Sequence, residues 1–204
     1  MVKLIRNIPN GGMPWIEIHM FGKFAVCVED RQIRSSEWKS SKALMILKYL
    51  ATNRHSGFIH KEVLIELLWP DQDPIKTQKR FHVAMSALRK MMEPGLSSKA
   101  TSAYIDRKKD LYRLYPGNQA LIDYEQFAIG LKDGIRLFDK NPSVALKKLL
   151  TAESRYKGPF LEENPYDDWC IHIREQTTLE YIRLLKLIQC LYQANQDMDN
   201  AVNR

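Results

Sequence analysis

Hydrophobic positions recur with period two near the start of the chain and with a helical period through most of the remaining residues. Between Trp15 and Val28, Ile16, Ile18 and Met20 alternate with Glu17 and His19, and Phe24, Val26 and Val28 alternate with the smaller Ala25 and Cys27 after Gly22-Lys23. That alternation about a central glycine predicts a β-hairpin. Gln32-Ile33-Arg34 predicts a short third strand after a turn at Glu29-Asp30-Arg31. A small antiparallel sheet is expected to open the fold, behind a loose leader over residues 1–14 that carries Pro9, Gly11, Gly12 and Pro14.

Ser40 and Ser41 are good N-caps for a helix from Lys42 to about Asn53, with an apolar stripe at Leu44, Leu47, Leu50 and Ala51. Past Ser56-Gly57, a second helix is expected over Glu62 to Trp69, ended by Pro70, with a loop over Asp71 to Pro74. The next stretch, residues 76–93, contains neither Gly nor Pro. At roughly 100° per residue, Phe81, Met85, Leu88 and Met92 fall within an arc of about 60°. On the opposite side lie Lys76, Lys79, Val83, Ser86 and Lys90, flanked by Arg80, His82, Ala87 and Arg89. Pro94-Gly95 stops this helix. A polar linker then precedes a second hairpin over residues 103–114, whose tip is Arg107-Lys108-Lys109.

The remaining chain is helical in pattern. Residues 124–138 and 143–156 form two helices joined by Asp139-Lys140-Asn141-Pro142, and a long helix runs from about Asp167 to Ala194. Met198 to Val202 reads as the start of another helix cut short, so the second half is expected to be truncated.

Charge divides the chain at the same place. Residues 1–118 hold 20 Lys and Arg against 11 Asp and Glu, and residues 119–204 hold 11 against 13. A basic first half joined to a slightly acidic second half points to a polyanion met by the first half alone. A cationic helix face is usually just solvated, but such a face mixes signs to form i,i+4 pairs. This one has no acid between Lys76 and Met92. Ser86 and Ala87 are small enough for close approach to a major groove.

The chemistry of the rest is sparse. There is no Gly-rich phosphate loop, no Gly-x-Ser-x-Gly and no His-Glu-x-x-His, so no enzyme and no cofactor is expected. His19, His55, His60, His82 and His172 lack metal-ligand spacing, and Asp197-x-Asp199 lacks the glycine of a calcium loop. Glu162-Glu163 and Asp167-Asp168 read as a solvated loop or helix start, with a partner contact as the other reading. Trp38, Trp69 and Trp169 read as core aromatics. Cys27, Cys170 and Cys190 read as buried free thiols of a reducing cytoplasm. No apolar run is long enough to span a membrane, and no secretory signal opens the chain.

Sheet, helix, helix, basic helix and hairpin succeed one another in the order of a winged helix-turn-helix. Phe21-Gly22-Lys23-Phe24, Trp38-Lys39-Ser40-Ser41-Lys42, Leu67-Leu68-Trp69-Pro70-Asp71, Leu88-Arg89-Lys90 and Tyr112-Arg113-Leu114 resemble the OmpR/PhoB-type DNA-binding domain. The closer resemblance is to Streptomyces antibiotic regulatory protein (SARP)-type activators. Ile122 to Phe127, Tyr156 to Glu162, Trp169 and Arg174-Glu175 resemble the bacterial transcriptional activator domain that comes after the winged helix there.

The resemblance implies an α+β winged helix-turn-helix over residues 15–118, followed by an all-α tetratricopeptide-like domain over 119–204. It implies a cytoplasmic, DNA-binding transcriptional activator that recognises tandem direct repeats in duplex DNA. RNA polymerase and a second copy of the chain are further candidate partners. In this reading Lys39, Ser41 and Lys42 hold phosphate at the start of the first helix. Lys79 and Arg80 hold it at the start of the basic helix, and Lys76, Thr77 and Lys90 of the same helix complete the candidate set. His82, Val83, Ser86 and Ala87 face base edges, Val83 and Ala87 being suited to thymine methyl groups. Arg107, Lys108 and Lys109 set the wing on backbone or in the minor groove. Related domains often carry longer polar or basic residues where this chain has Val83 and Ala87, which shifts weight toward shape readout. The alternative is a protein-interaction module built on a winged-helix scaffold.

Overall fold

The computed structural model describes residues 15–97, 100–115 and 120–202; the expected leader over 1–14 lies outside them. β1 (Ile16–His19), β2 (Ala25–Val28) and β3 (Arg31–Arg34) form the antiparallel meander that alternation predicts, with Ile16 opposite Val28 and His19 opposite Ala25. Gly22 takes a φ of +71° in the first turn, and a Cβ there would come within 2.9 Å of the Lys157 carbonyl oxygen. The glycine therefore serves both the turn and the close approach of a distant loop.

α1 (Ser41–Thr52) starts where Ser40 Oγ accepts the Ala43 amide at 3.2 Å. β4 (Ile59–His60) leads directly into α2 (Lys61–Leu68). α3 (Pro74–Met92) begins two residues earlier than its apolar spacing suggested. Asp73 caps it by accepting the Ile75 amide at 2.9 Å, and Pro74 occupies the first turn, where its missing N–H costs nothing. Phe81, Met85, Leu88 and Met92 are all buried, as are Thr77 and Ala84. β5 (Ile105–Lys108) and β6 (Leu111–Leu114) form the wing, with Lys109 at φ 55° in the turn, and β4 extends the pair to a sheet of order β4-β6-β5.

β7 (Ala120–Ile122) pairs in parallel with β1, giving a first sheet of order β3-β2-β1-β7. The opening sheet is therefore mixed rather than purely antiparallel, and its edge strand comes from beyond the expected boundary at 118. α4 (Asp123–Leu137) packs on α5 (Pro142–Glu153). Gly130 and Gly134, one turn apart on α4, make this possible. A Cβ on either would lie 2.8 Å from Ala152 Cβ or 2.4 Å from Leu149 Cδ2, respectively. α6 (Asp168–Val202) packs on α5 and runs unbroken through the position where a new helix was expected near Met198. No Gly or Pro lies between Asp168 and Val202 to stop it. The architecture is a winged helix-turn-helix followed by an all-α unit.

The two parts share a core. Phe21 from the first turn meets Tyr124, Phe127, Tyr156 and Phe160, and Tyr156 stacks on Tyr181 at 3.9 Å. Asp123, at the start of α4, accepts the amides of Met20 at 2.8 Å and Phe21 at 3.2 Å. Burial pushes its carboxyl up to about 6, against the pull of those amides and of His19. Lys48, buried on α1, reaches Asn164 Oδ1 and lies 4.9 Å from the Phe24 ring; burial lowers its ammonium from the usual range. Arg54 makes a two-pronged pair with Glu125 at 3.0 and 2.7 Å. Arg174 donates to the carbonyls of Phe160, Leu161, Asn164 and Pro165, closing the loop before α6. Of the acidic doublets, Glu163 accepts from Ser35 Oγ at 3.0 Å and so belongs to this joint.

Two expectations about buried residues change. Only Cys170 is a buried thiol, whereas Cys27 is half-buried and Cys190 exposed. Cys190 sits on the outward side of α6, where the helical period carries it away from Leu184, Ile188 and Leu191. Trp38 and Trp69 are buried, whereas Trp169 is half-buried against Tyr49, with ring centroids 5.3 Å apart.

Candidate nucleic-acid interface

The buried side of α3 fixes what its other side presents. With Phe81, Met85, Leu88 and Met92 locked in the core, the helical period leaves Lys76, Lys79, His82, Val83, Ser86 and Lys90 exposed. Val83 is 71% exposed, far more than a valine that packs anywhere within the protein. Among the described residues, Lys76, Lys79 and Lys90 have no carboxylate within salt-bridge distance.

The wing is held beside this face. Lys61, the first residue of α2, donates its amide to the Asp110 carbonyl at 2.7 Å and its ammonium to Asp110 Oδ1 at 3.1 Å. That ammonium holds the Asp110 carboxyl below the ordinary carboxylate range. Tyr112 packs edge-on against Phe81, tying the β6 strand to the buried face of α3. Between α3 and the wing lies a cleft of about 540 Å³, lined by His82, Ser86 and Lys90 on one side and Arg107 and Tyr112 on the other. Arg107, Lys108 and Lys109 are all exposed at the wing's end.

A second, shallower depression of about 340 Å³ joins Ser40 and Lys42 of the α1 start to Trp69 and to Lys79, Arg80 and Val83 of α3. The start of α1, the end of α2 and the outward face of α3 therefore meet at one place. Lys39 and Ser41 are exposed there.

Three candidates need correction. Thr77 is buried, with its hydroxyl donating to the carbonyls of Asp73 and Pro74 at 3.1 Å, so it serves the first turn of α3 and reaches no ligand. Its place on the core side follows from its spacing, four residues before Phe81 and so within about 40° of it. Ala87 is half-buried and packs against the core, which removes it from the base-facing set. Lys42 donates to the Leu68 carbonyl at 2.6 Å and lies over the Trp69 ring, closing the last turn of α2. Arg80 remains exposed but donates to Gln72 Oε1 at 2.7 Å.

Two contributors were not anticipated. Ile75 is 75% exposed on the first turn of α3, a placement visible only once Asp73 and Pro74 are recognised as cap and first residue. Arg113 stacks between Phe58 at 4.3 Å and Tyr115 at 4.0 Å and pairs with Asp106 at 2.8 Å, which stiffens the wing from behind. Among the described residues, no three His, Cys, Asp or Glu side chains gather as a metal site, and no helix is long and apolar enough to cross a membrane.

No protein-family model and no curated protein matches the chain. Among solved structures, Mycobacterium tuberculosis EmbR, determined in complex with a low-affinity phosphopeptide, is similar, with a TM-score of 0.59 and 18% identity. The match covers 94% of this chain and 47% of that one. This chain thus spans about half the length of EmbR and shares its fold over nearly all of its own length.

Proposed function

We propose that this protein is a sequence-specific DNA-binding transcriptional regulator, acting as an activator in the cytoplasm. The observation that carries the reading is the cationic face of α3, whose lysines have no carboxylate partner among the described residues, beside a basic wing across a cleft whose two sides both carry basic side chains. The likeness of its fold to EmbR, and the motifs that resemble SARP-type activators, support the same reading. Residues 15–118 act as the DNA-binding domain and residues 119–204 as the regulatory domain.

In this mechanism α3 lies in the major groove. Lys76, Lys79 and Lys90 neutralise phosphates along its length, and Lys39 with Ser41 holds backbone at the start of α1. His82, Val83 and Ser86 meet base edges, and Arg107, Lys108 and Lys109 grip the flanking backbone. Tandem direct repeats, RNA polymerase and a second copy of the chain are the partners that the SARP resemblance adds. The competing reading is a protein-interaction module whose basic face binds an acidic protein. A mobility shift on random duplex at low and high salt separates the two. The DNA reading expects a shift at low salt that disappears as salt rises, whereas absence of any shift at low salt favours the module.

A further inference from the structure

Ile75 and Val83 are 75% and 71% exposed, which places them among the most exposed large apolar side chains of the described residues. Both stand on the cationic face of α3. At 100° per residue Ile75 lies within about 40° of Lys79 and Ser86, and Val83 within about 40° of Lys79 and Lys90. They are therefore interleaved with the cations rather than gathered on an apolar side. Eight residues separate them, about 12 Å along the helix axis, or three to four base-pair steps of about 3.4 Å.

Three long polar side chains of this region are engaged within the protein. Arg80 donates to Gln72, Arg89 to the Ala100 carbonyl and Lys42 to the Leu68 carbonyl. Each arginine of α3 already holds a hydrogen bond within the protein, which competes with the two-pronged contact to guanine that is the commonest specific contact in a major groove. What the face offers a base edge at each end is a branched apolar side chain held outward by a rigid helix. In the major groove the apolar feature of a base pair is the 5-methyl group of thymine.

We infer that α3 reads thymine 5-methyl groups through Ile75 and Val83, and that these contacts are its chief base-specific term. The inference rests on the proposed DNA-binding function. Lysines beside each residue hold the duplex regardless of sequence, and the methyl contacts select where along it the helix settles.

The test uses the full chain and four 24-base-pair duplexes: alternating dA-dT, the same with deoxyuridine for thymidine, alternating dG-dC, and the same with 5-methyl-dC. Fluorescence anisotropy at fixed salt is expected to show tighter binding to dA-dT than to its uracil counterpart, by roughly threefold to fivefold per methyl contacted. Methylation of dC should tighten dG-dC binding in the same direction. The Ile75→Ala, Val83→Ala double variant should lose the thymine-over-uracil preference and keep the salt slope, and Val83→Ile should retain the preference. Both positions are solvent-exposed, and circular dichroism of the variants checks that the fold is intact. Equal affinity for the thymine and uracil duplexes with a steep salt slope would overturn the methyl readout and leave DNA binding standing. A preference that survives in the double variant would assign it to duplex shape and overturn the inference too. Binding to none of the four would overturn the proposed function, and this inference with it.

Discussion

Cations do opposite work in two regions of this molecule. At the joint between the winged helix and the helical part, Lys48 is buried and Arg54 and Arg174 are half-buried, bonded to Asn164, to Glu125 and to a ring of loop carbonyls. On the outward face of α3, Lys76, Lys79 and Lys90 are exposed without a carboxylate partner among the described residues. The first set completes an internal structure, because a buried donor left unmet costs its full desolvation. The second set gains little within the protein and is available to an external polyanion. A count of charges treats the two alike; only their partners tell them apart.

Cutting the joint should have the largest effect. A fragment of residues 1–118 lacks β7, the partner of β1, and lacks Tyr124, Phe127, Tyr156 and Phe160, which cover Phe21. It is expected to lose cooperative thermal unfolding, as tracked by calorimetry, while the whole chain keeps it. Arg174→Ala should come next, costing about 3 kcal/mol in urea unfolding because several loop carbonyls lose their donor at once. Its effect on DNA affinity under native conditions should be small.

The joint also carries a pH signature. The buried Asp123 carboxyl lies at about 6 in the folded protein against 3.8 in its ordinary state. Between those values the folded protein holds a proton that the unfolded chain releases. Its contribution to stability therefore falls as pH rises through that window, by up to about 3 kcal/mol, and is level above it. Urea unfolding of the wild type and Asp123→Asn at pH 4 and pH 7 should show the gap between them changing in that direction. On the outward face the expected changes are in binding alone. Lys79→Ala should leave stability within about 0.5 kcal/mol of wild type and reduce the log–log salt slope of DNA binding by about 0.9. Ser86→Arg should change the sequence preference more than the affinity, as a selection from a random duplex pool would show.

Much of this was legible in the sequence wherever one element's own period carried the signal. The hairpin of β1 and β2, the buried face of α3 and the wing are encoded in spacing that involves only near neighbours. β7 could not be seen that way, because three residues carry no period and their partner strand lies about a hundred positions upstream. Two-residue β4 escaped for the same reason. Thr77 was legible too, since it stands four residues before Phe81 and so on the buried side of α3; only the cap at Asp73 and the exposure of Ile75 depended on where the helix starts. The role of Lys48 was hidden in the apolar middle of α1, between Ala43 and Ala51. A lysine between Leu47 and Leu50 is a hint of burial with a partner, but the partner, Asn164, comes from a loop over a hundred residues away.

DNA binding by this protein stands or falls on whether the exposed cations of α3 and the wing meet the phosphates of a duplex. The decisive experiment is a fluorescence-anisotropy titration of a short random duplex with the full chain, repeated from about 50 to 200 mM salt. With five to seven phosphates neutralised, the expected log–log slope is roughly −4.5 to −6.3, shallower by about 0.9 in Lys79→Ala. A slope near zero, or a slope unchanged by that substitution, would rule the contact out.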